Sequence, residues 1–373
     1  MVNDSYSSLV MASTLSSVAT GGLYNTTAIP TNTTIVSSGM SQEEELEIEM
    51  IVSRIVPIFF GLIGITGLLG NALVVLVVVS NPMMRSTTNL LIINLAIADL
   101  LFVVFCIPFT ATDYVLSSWP FGELWCKIVQ YLIVVTAHAS IYTLVLMSLD
   151  RFLAVVHPIA SMVIRTERNT LWAITVLWVV IVTTALPVMF AHGVNKNLYQ
   201  DREIASCTFL ENDQFSRAAF HIAFFSSSYL VPLVLISVLY MCMLSRLWRS
   251  SVGGRSAESK KSKKRVTRLV VVVVAAFASL WFPIQIILVL KSMEVFVPDT
   301  YFKISLQIIS HVLAYTSSCI NPLLYAFLSE NFRKAFRKIV YCGPGSRRHG
   351  STRHMPLPTK TTRTGSCQGQ DIL

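Results

Sequence analysis

Charge is the first thing this sequence has little of. Only 13% of its 373 residues are Asp, Glu, Lys or Arg, while 53% are hydrophobic; a soluble domain carries about a quarter charged residues. So little charge cannot clothe a soluble surface of this size, and the mean hydropathy of +0.62 places the chain among membrane proteins. Histidine is scarce too. There are seven, and His138, His221 and His311 fall in separate apolar stretches without ligand spacing, which leaves no clustered metal set for an integral-membrane enzyme. No internal repeat is visible, which removes the repeated halves of a secondary transporter. Glycine-rich phosphate loops are missing, as are the short segments of alternating polarity that build a membrane β-barrel. The first residues lack a basic region followed by an apolar core, so no cleavable signal peptide is expected and the first apolar run is expected to target the chain.

What is present is a set of long apolar runs. Crossing about 30 Å of hydrocarbon takes roughly 20 helical residues. Seven stretches qualify: Ile55–Ser80, Thr88–Leu116, Ile128–Leu149, Leu171–Phe190, Ala218–Leu244, Leu269–Leu290 and Ile304–Phe327. With the N-terminus outside, the outer segments hold seven Lys and Arg against fourteen acids. The inner ones hold twenty-two against five, and Asp99 lies alone within the membrane. That asymmetry obeys the positive-inside rule, and the basic balance reflects a cytoplasmic face on anionic membrane lipid rather than a nucleic-acid partner. The expected fold is an all-α seven-transmembrane-helix bundle, residues 55–328. A Ser-, Thr- and Asn-rich tail, 1–54, precedes it and is expected to be disordered and extracellular. An amphipathic surface helix, 329–342, and a disordered cytoplasmic tail, 343–373, follow. Three N-x-S/T sequons, at Asn3, Asn25 and Asn32, all fall in the outer tail, so glycosylation is expected there.

Of the seven cysteines, Cys106, Cys242 and Cys319 fall inside spans, where a small buried hydrophobe is the plain reading. Cys126 and Cys207 face the oxidising side, one opening the third span and the other in the long outer loop before the fifth. A bridge between them would pin that loop across the bundle; two free thiols are the alternative. Cys342, in the basic stretch beyond the last span, is a palmitoylation candidate or an unmodified thiol.

The motifs carry a resemblance over roughly residues 55–342. Gly70–Asn71, Leu95–Ala96–Ile97–Ala98–Asp99, Asp150–Arg151–Phe152, Trp178, Pro232 with Tyr240, Phe277 with Trp281–Phe282–Pro283, and Asn321–Pro322–Leu323–Leu324–Tyr325 resemble the landmarks of rhodopsin-like G-protein-coupled receptors, each in the matching span and order. Three segments, Trp119–Pro120–Phe121–Gly122, Asp150 to Pro158 and Ser329 to Phe336, are similar to galanin and allatostatin-A neuropeptide receptors. Phe152 in place of the usual Tyr, with Ile164–Arg165–Thr166–Glu167, is closer to the arthropod allatostatin-A branch. The resemblance implies a plasma-membrane receptor for an amidated neuropeptide, acting through a heterotrimeric G protein of Gi/o type. It also implies arrestin and receptor kinases as further partners. A galanin-like receptor is the alternative.

The residues have a chemistry of their own. Asp99 is an acid at mid-membrane, costly unless hydrogen-bonded or neutralised. Asn71, Ser140, Ser318 and Asn321 are the polar residues at comparable depth. Together they form either a hydrated cavity, which in the family resembles an allosteric sodium site, or a purely structural network around a protonated Asp99. No other cofactor is expected. Pro283 and Pro322 remove backbone hydrogen bonds and offer hinges, with Trp281 close to the first. Arg151, beside Asp150 at the inner end of span three, is expected to hold the resting state and then meet the G protein, and Tyr240, Trp281, Pro283, Asn321, Pro322 and Tyr325 are the other residues expected in activation and coupling. The acid that many relatives place on span six is missing, the region reading Lys260–Lys261–Ser262–Lys263–Lys264–Arg265, so a lock between helices three and six is not expected.

Two absences narrow the ligand. The position of the opsins' Schiff-base lysine is Tyr315, and that of the monoamine receptors' aspartate is Ile133. Asp113, Gln130, His138, Gln285, Gln307, His311 and Tyr315 are the polar groups expected in the outer bundle. Each histidine among them is either a ligand contact or an ordinary core residue with a partner. Such a wide, mostly neutral pocket suits a peptide; a lipid ligand or a receptor without ligand are the alternatives. The basic residues nearest it, Lys127, Arg217, Lys291 and Lys303, sit at the rim. A buried peptide carboxylate would be unpaired there, whereas a carboxamide is neutral and both donates and accepts.

Overall fold

The computed structural model describes residues 42–81, 86–116, 118–199, 202–249, 257–298, 300–328 and 332–334. The expected glycosylation sites Asn3, Asn25 and Asn32, the candidate acylation site Cys342, residues 343–373 and all but three residues of the expected surface helix lie outside them. Residues 332–334 are helical, with Phe332 buried against Tyr325 at a ring separation of 6.4 Å.

Six helical stretches are long and apolar enough to cross a membrane: Met50–Val79, Thr87–Val115, Gly122–Val156, Glu167–Ala191, Arg217–Arg246 and Val270–Ser292. A further long helix, Tyr301–Leu328, supplies the seventh span. It is more polar because His311, Ser317, Ser318 and Asn321 face inward, His311 onto a cavity and the other three buried. The first helix starts at Gln42, inside the stretch expected to be a disordered tail, and this corrects the boundary at residue 54. The stretch is rich in glutamate, a good helix former.

Spans two, four and five are interrupted. The second breaks at Cys106, between Thr87–Phe105 and Ile107–Val115, with Pro108 in the first turn of the outer piece. Proline cannot supply the N–H that would continue the ladder. The fourth turns after Thr184 and resumes as Pro187–Ala191. The fifth carries a π-helical turn, Ser226–Leu230, immediately before Pro232, a place where such bulges absorb the bond that proline removes. A short helix, Pro158–Ile164, fills the second inner loop.

The outer loop before span five folds as an antiparallel hairpin, β1 (His192–Tyr199) and β2 (Arg202–Phe209), with Val194 opposite Cys207. A disulfide joins Cys126 to Cys207, as the compartment argument expects. Trp119, 7% exposed, packs with Cys126 and Val129, its backbone N–H donates to the Ala205 carbonyl at 2.8 Å and its Nε1 to the Gly122 carbonyl at 2.9 Å. Gly122 sits at φ +75°, a left-handed turn that a residue with a Cβ adopts only at a cost. The Trp-Pro-Phe-Gly run is therefore the bracket that seats the hairpin over the third helix.

The third span contacts the second, fourth, fifth and sixth and the hairpin. Its buried Ile141, Leu144 and Met147 share one core with Leu95 and Phe102 of span two and Trp281 of span six. Trp178 Nε1 donates to Asn94 Oδ1 at 2.8 Å and Asn94 Nδ2 to Thr143 Oγ1 at 2.7 Å, tying spans four, two and three. A Cβ on Gly70 would lie 3.0 Å from the Pro322 ring, so span one approaches the kink of span seven only because no side chain intervenes.

Candidate functional site

The site has three layers. Outermost is a cavity of about 270 Å³ between spans two, three, five, six and seven, beneath the hairpin. The outer piece of span two, re-aimed by the break at Cys106, brings Thr110, Asp113 and Tyr114 to it. Asp113, Gln130, Ile133, Gln307, His311 and Tyr315, all expected in a ligand pocket, line this one cavity. His311 Nδ1 lies 2.8 Å from the Tyr114 hydroxyl, the Tyr315 hydroxyl 2.9 Å from Thr110 Oγ1, and Gln130 Nε2 donates to Cys207 Sγ at 3.8 Å. Tyr315 also packs edge-on to Phe60 at 5.1 Å and tilted against Phe102 at 4.7 Å. No lysine or arginine lines the cavity among the described residues. At the rim, Lys127 pairs with Glu123 at 2.5 Å and Arg217 with Glu211 at 3.8 Å. His192, at the hairpin's start, is buried against Phe209 and Phe220. Burial holds its imidazole below the usual range, against the opposing effect of its Nδ1–H bond to the Val188 carbonyl.

Two expected members are elsewhere. Gln285 is 1% exposed and donates to Ser228 Oγ at 3.1 Å. The cavity takes the Trp281, Ile284 and Leu288 stripe of span six, and Gln285, about 100° round the helix from Ile284, faces the π-helical turn of span five. His138 is a core histidine with partners on both nitrogens, the Val134 carbonyl at 2.8 Å and Ser227 Oγ at 3.0 Å. It lines a separate apolar cavity between spans three, four and five.

Trp281 forms part of the outer cavity's wall and begins the middle layer. It stacks on Phe277 at 5.6 Å and donates from Nε1 to Ser317 Oγ at 2.9 Å. One residue on, the Ser318 carbonyl accepts from Asn71 Nδ2 at 2.8 Å, and Gly67's accepts from the same nitrogen at 2.9 Å. Asp99, 2% exposed, accepts from Asn321 Nδ2 at 2.8 Å and Ser140 Oγ at 3.1 Å. Asn71 thus reaches span seven's backbone rather than Asp99. Its Oδ1 is buried with no hydrogen-bond partner among the described residues. The Asp99 carboxylate and the Ser140 hydroxyl are oxygen donors of the type a hard cation takes. No group of three or more His, Cys, Asp or Glu is placed to hold a metal among the described residues.

The inner layer centres on Asp150. Thr87 Oγ1 donates to it at 2.9 Å, Thr88 Oγ1 at 3.0 Å, Arg151 at 2.6 Å, and Arg165 through Nε at 2.7 Å and a terminal nitrogen at 3.0 Å. Arg165 caps the short inner-loop helix. Sequence reading saw in it a mark of lineage, and missed the second guanidinium on the same carboxylate because the fifteen-residue separation closes only through that helix. Tyr240 packs against the core nearby. The Tyr325 hydroxyl is buried with no hydrogen-bond partner among the described residues. Pro283 and Pro322 lie within unbroken helices, where each removes one ladder bond.

Against known proteins, the family description "7 transmembrane receptor (rhodopsin family)" matches residues 70–325. The chain is 66% identical over 320 residues to the allatostatin-A receptor of Bombyx mori, covering 86% of this chain and 88% of that one. It is 40% identical over 288 residues to galanin receptor type 2 of Mus musculus, 76% of each. It is 35% identical over 327 residues to a galanin-like G-protein coupled receptor of Caenorhabditis elegans, covering 80% of this chain and 76% of that one.

Proposed function

Because the chain belongs to the rhodopsin family of seven-transmembrane receptors, and is therefore a multi-pass membrane receptor and not an enzyme, we propose that its ligand is a C-terminally amidated neuropeptide of allatostatin-A type, bound amide-first in the outer cavity and signalled through a Gi/o-type G protein. The observation that carries the reading is the match at 66% identity across most of both chains to a receptor of that name. The similarity to galanin receptors, 40% identical over three quarters of the chain, supports the second reading, a galanin-like peptide.

The cavity's chemistry supports an amide. A carboxylate placed there would meet no lysine or arginine on the lining, and an unpaired buried charge costs several kcal/mol. The charge asymmetry supports an extracellular N-terminus with a glycosylated tail. Inside, Arg151 and the basic loops meet the G protein, receptor kinases and arrestin. The layer beneath the cavity offers a route inward: Trp281 to Ser317, the adjacent Ser318 to Asn71, and Asn321 to Asp99. Asp99 and Ser140 would hold a sodium ion in this reading, its charge offsetting the buried carboxylate.

Competition binding on membranes, with the amide and the free acid of one peptide ending in Phe-Gly-Leu, tests the proposal. Each tenfold in affinity is 1.4 kcal/mol, so the acid is expected to bind on the order of a hundredfold more weakly. Equal affinities would place the C-terminus in water and end the amide-first reading. Inhibition of cAMP formation, rather than a calcium rise through another G-protein class, is the expected coupling readout.

A further inference from the structure

We infer that Asp113 is the side chain that tells an amidated peptide from a free acid: its carboxylate accepts from the ligand's terminal carboxamide and repels a terminal carboxylate. This rests on the amide-first reading above and assigns it to one residue.

Most polar groups of the cavity are already engaged. His311 is held by Tyr114, Tyr315 by Thr110 and Gln130 by the disulfide sulfur of Cys207. Asp113 lines the same wall, and no hydrogen bond or ion pair reaches it among the described residues. Gln307 Oε1, also in this cavity, is buried without a partner, and so is the ring nitrogen Nδ1 of His221. A carboxylate and an amide oxygen are acceptors only. The span-two and span-seven side of the cavity therefore presents two unspent acceptors, and among the described residues no lysine or arginine lines it; Lys291, at the rim, acts on His311 and His221 rather than on the acid.

A group complementary to this wall brings N–H donors and no negative charge. A primary carboxamide has two N–H bonds, one for Asp113 and one for Gln307 Oε1, and a carbonyl left to accept from elsewhere. A peptide acid at neutral pH brings no donor and sets a second negative charge beside the first, where the low dielectric of a partly enclosed cavity strengthens the repulsion. A cation on the ligand, from lysine, arginine or the N-terminus, also suits Asp113, and the probe must exclude it.

The test uses the full-length receptor in membranes and a peptide ending in Phe-Gly-Leu, N-acetylated and free of lysine and arginine, as amide and as acid. In the wild type the amide-to-acid affinity ratio is expected on the order of a hundredfold. In Asp113→Asn, which keeps the shape and removes the charge, it is expected to fall by roughly tenfold or more, mainly because the acid binds better. Asp113→Ala gives a second, independent measure of the ratio, and surface labelling normalises receptor number. Asp113→Glu is expected to keep the preference. A wild-type preference that survives unchanged in both neutral variants overturns the assignment and leaves the amide-first reading standing. So does an equal loss for both ligands, which would make Asp113 a general contact. A wild type without preference removes both.

Discussion

Asp150 is 7% exposed and accepts from four side chains contributed by span two, span three and the second inner loop. Two of its donors are guanidinium groups, and the side chains that carry them are only 13% exposed for Arg151 and 24% exposed for Arg165. Losing one partner of a buried ion pair costs about 3–5 kcal/mol at full burial, and less here because Arg165 is at the edge and two threonines remain. The inner end of span six reads Lys260–Lys261–Ser262–Lys263–Lys264–Arg265, and this cluster is the restraint we propose for the resting arrangement. Arg165→Ala is therefore expected to raise ligand-independent nucleotide exchange, about tenfold if the balance of states moves by 1.4 kcal/mol. Arg151→Ala is expected to suppress agonist-driven exchange while ligand affinity and surface expression stay near wild type. Nucleotide exchange on membranes with added G protein reads both. A fall in basal exchange in the Arg165 variant would mean that the loop helix serves docking rather than restraint. The Asp-Arg-Phe triplet was legible in the sequence. Its second arginine was not, because nothing local marks Arg165 as a neighbour of Asp150.

At the scale of elements, the outer hairpin and the bent helices decide what the cavity is. The disulfide joins residues 81 positions apart and presses β2 onto the third span, where Cys207 and Gln130 then meet. Cys126→Ser and Cys207→Ser are each expected to abolish peptide binding, and the double variant to be no worse than either, since one bond is lost in all three. Saturation binding on surface-labelled receptor measures this, and strictly additive losses would argue that the two residues act separately. The bridge was legible from compartment alone. The hairpin was not: His192 to Phe209 has no clean alternation of polar and apolar residues, and backbone pairing together with Trp119 holds it. The break at Cys106 had a signal in Pro108 that sequence reading passed over. The π-helical turn, with Ser227 and Ser228 turned toward His138 and Gln285, had none beyond Pro232.

At the scale of the molecule, the charge balance and the sequons point to one orientation. If the tail before the first span is outside, glycosidase treatment of the expressed protein is expected to lower its apparent mass, and the shift to vanish when Asn3, Asn25 and Asn32 are all changed to Gln. A shift that persists would mean that sugar is attached elsewhere. The bilayer explains the large apolar area that the bundle leaves uncovered: Leu171, Trp172, Val176 and Val179 of span four are more than half exposed, as lipid-facing residues are.

The sequence by itself determined the class and the number and order of the spans, because these depend on local composition and on motifs a few residues long. It also anticipated the outer disulfide. Tertiary structure alone decided which polar groups share a cavity and which are spent on each other. Gln285 and His138 stand at the depth of a ligand pocket yet face span five, where Ser228 and Ser227 meet them, since each side chain's direction follows from a rotation of about 100° per residue along its helix. Asp113 and Gln307, far apart in the chain, meet on one cavity, and among the described residues no hydrogen bond reaches the Asp113 carboxylate or Gln307 Oε1.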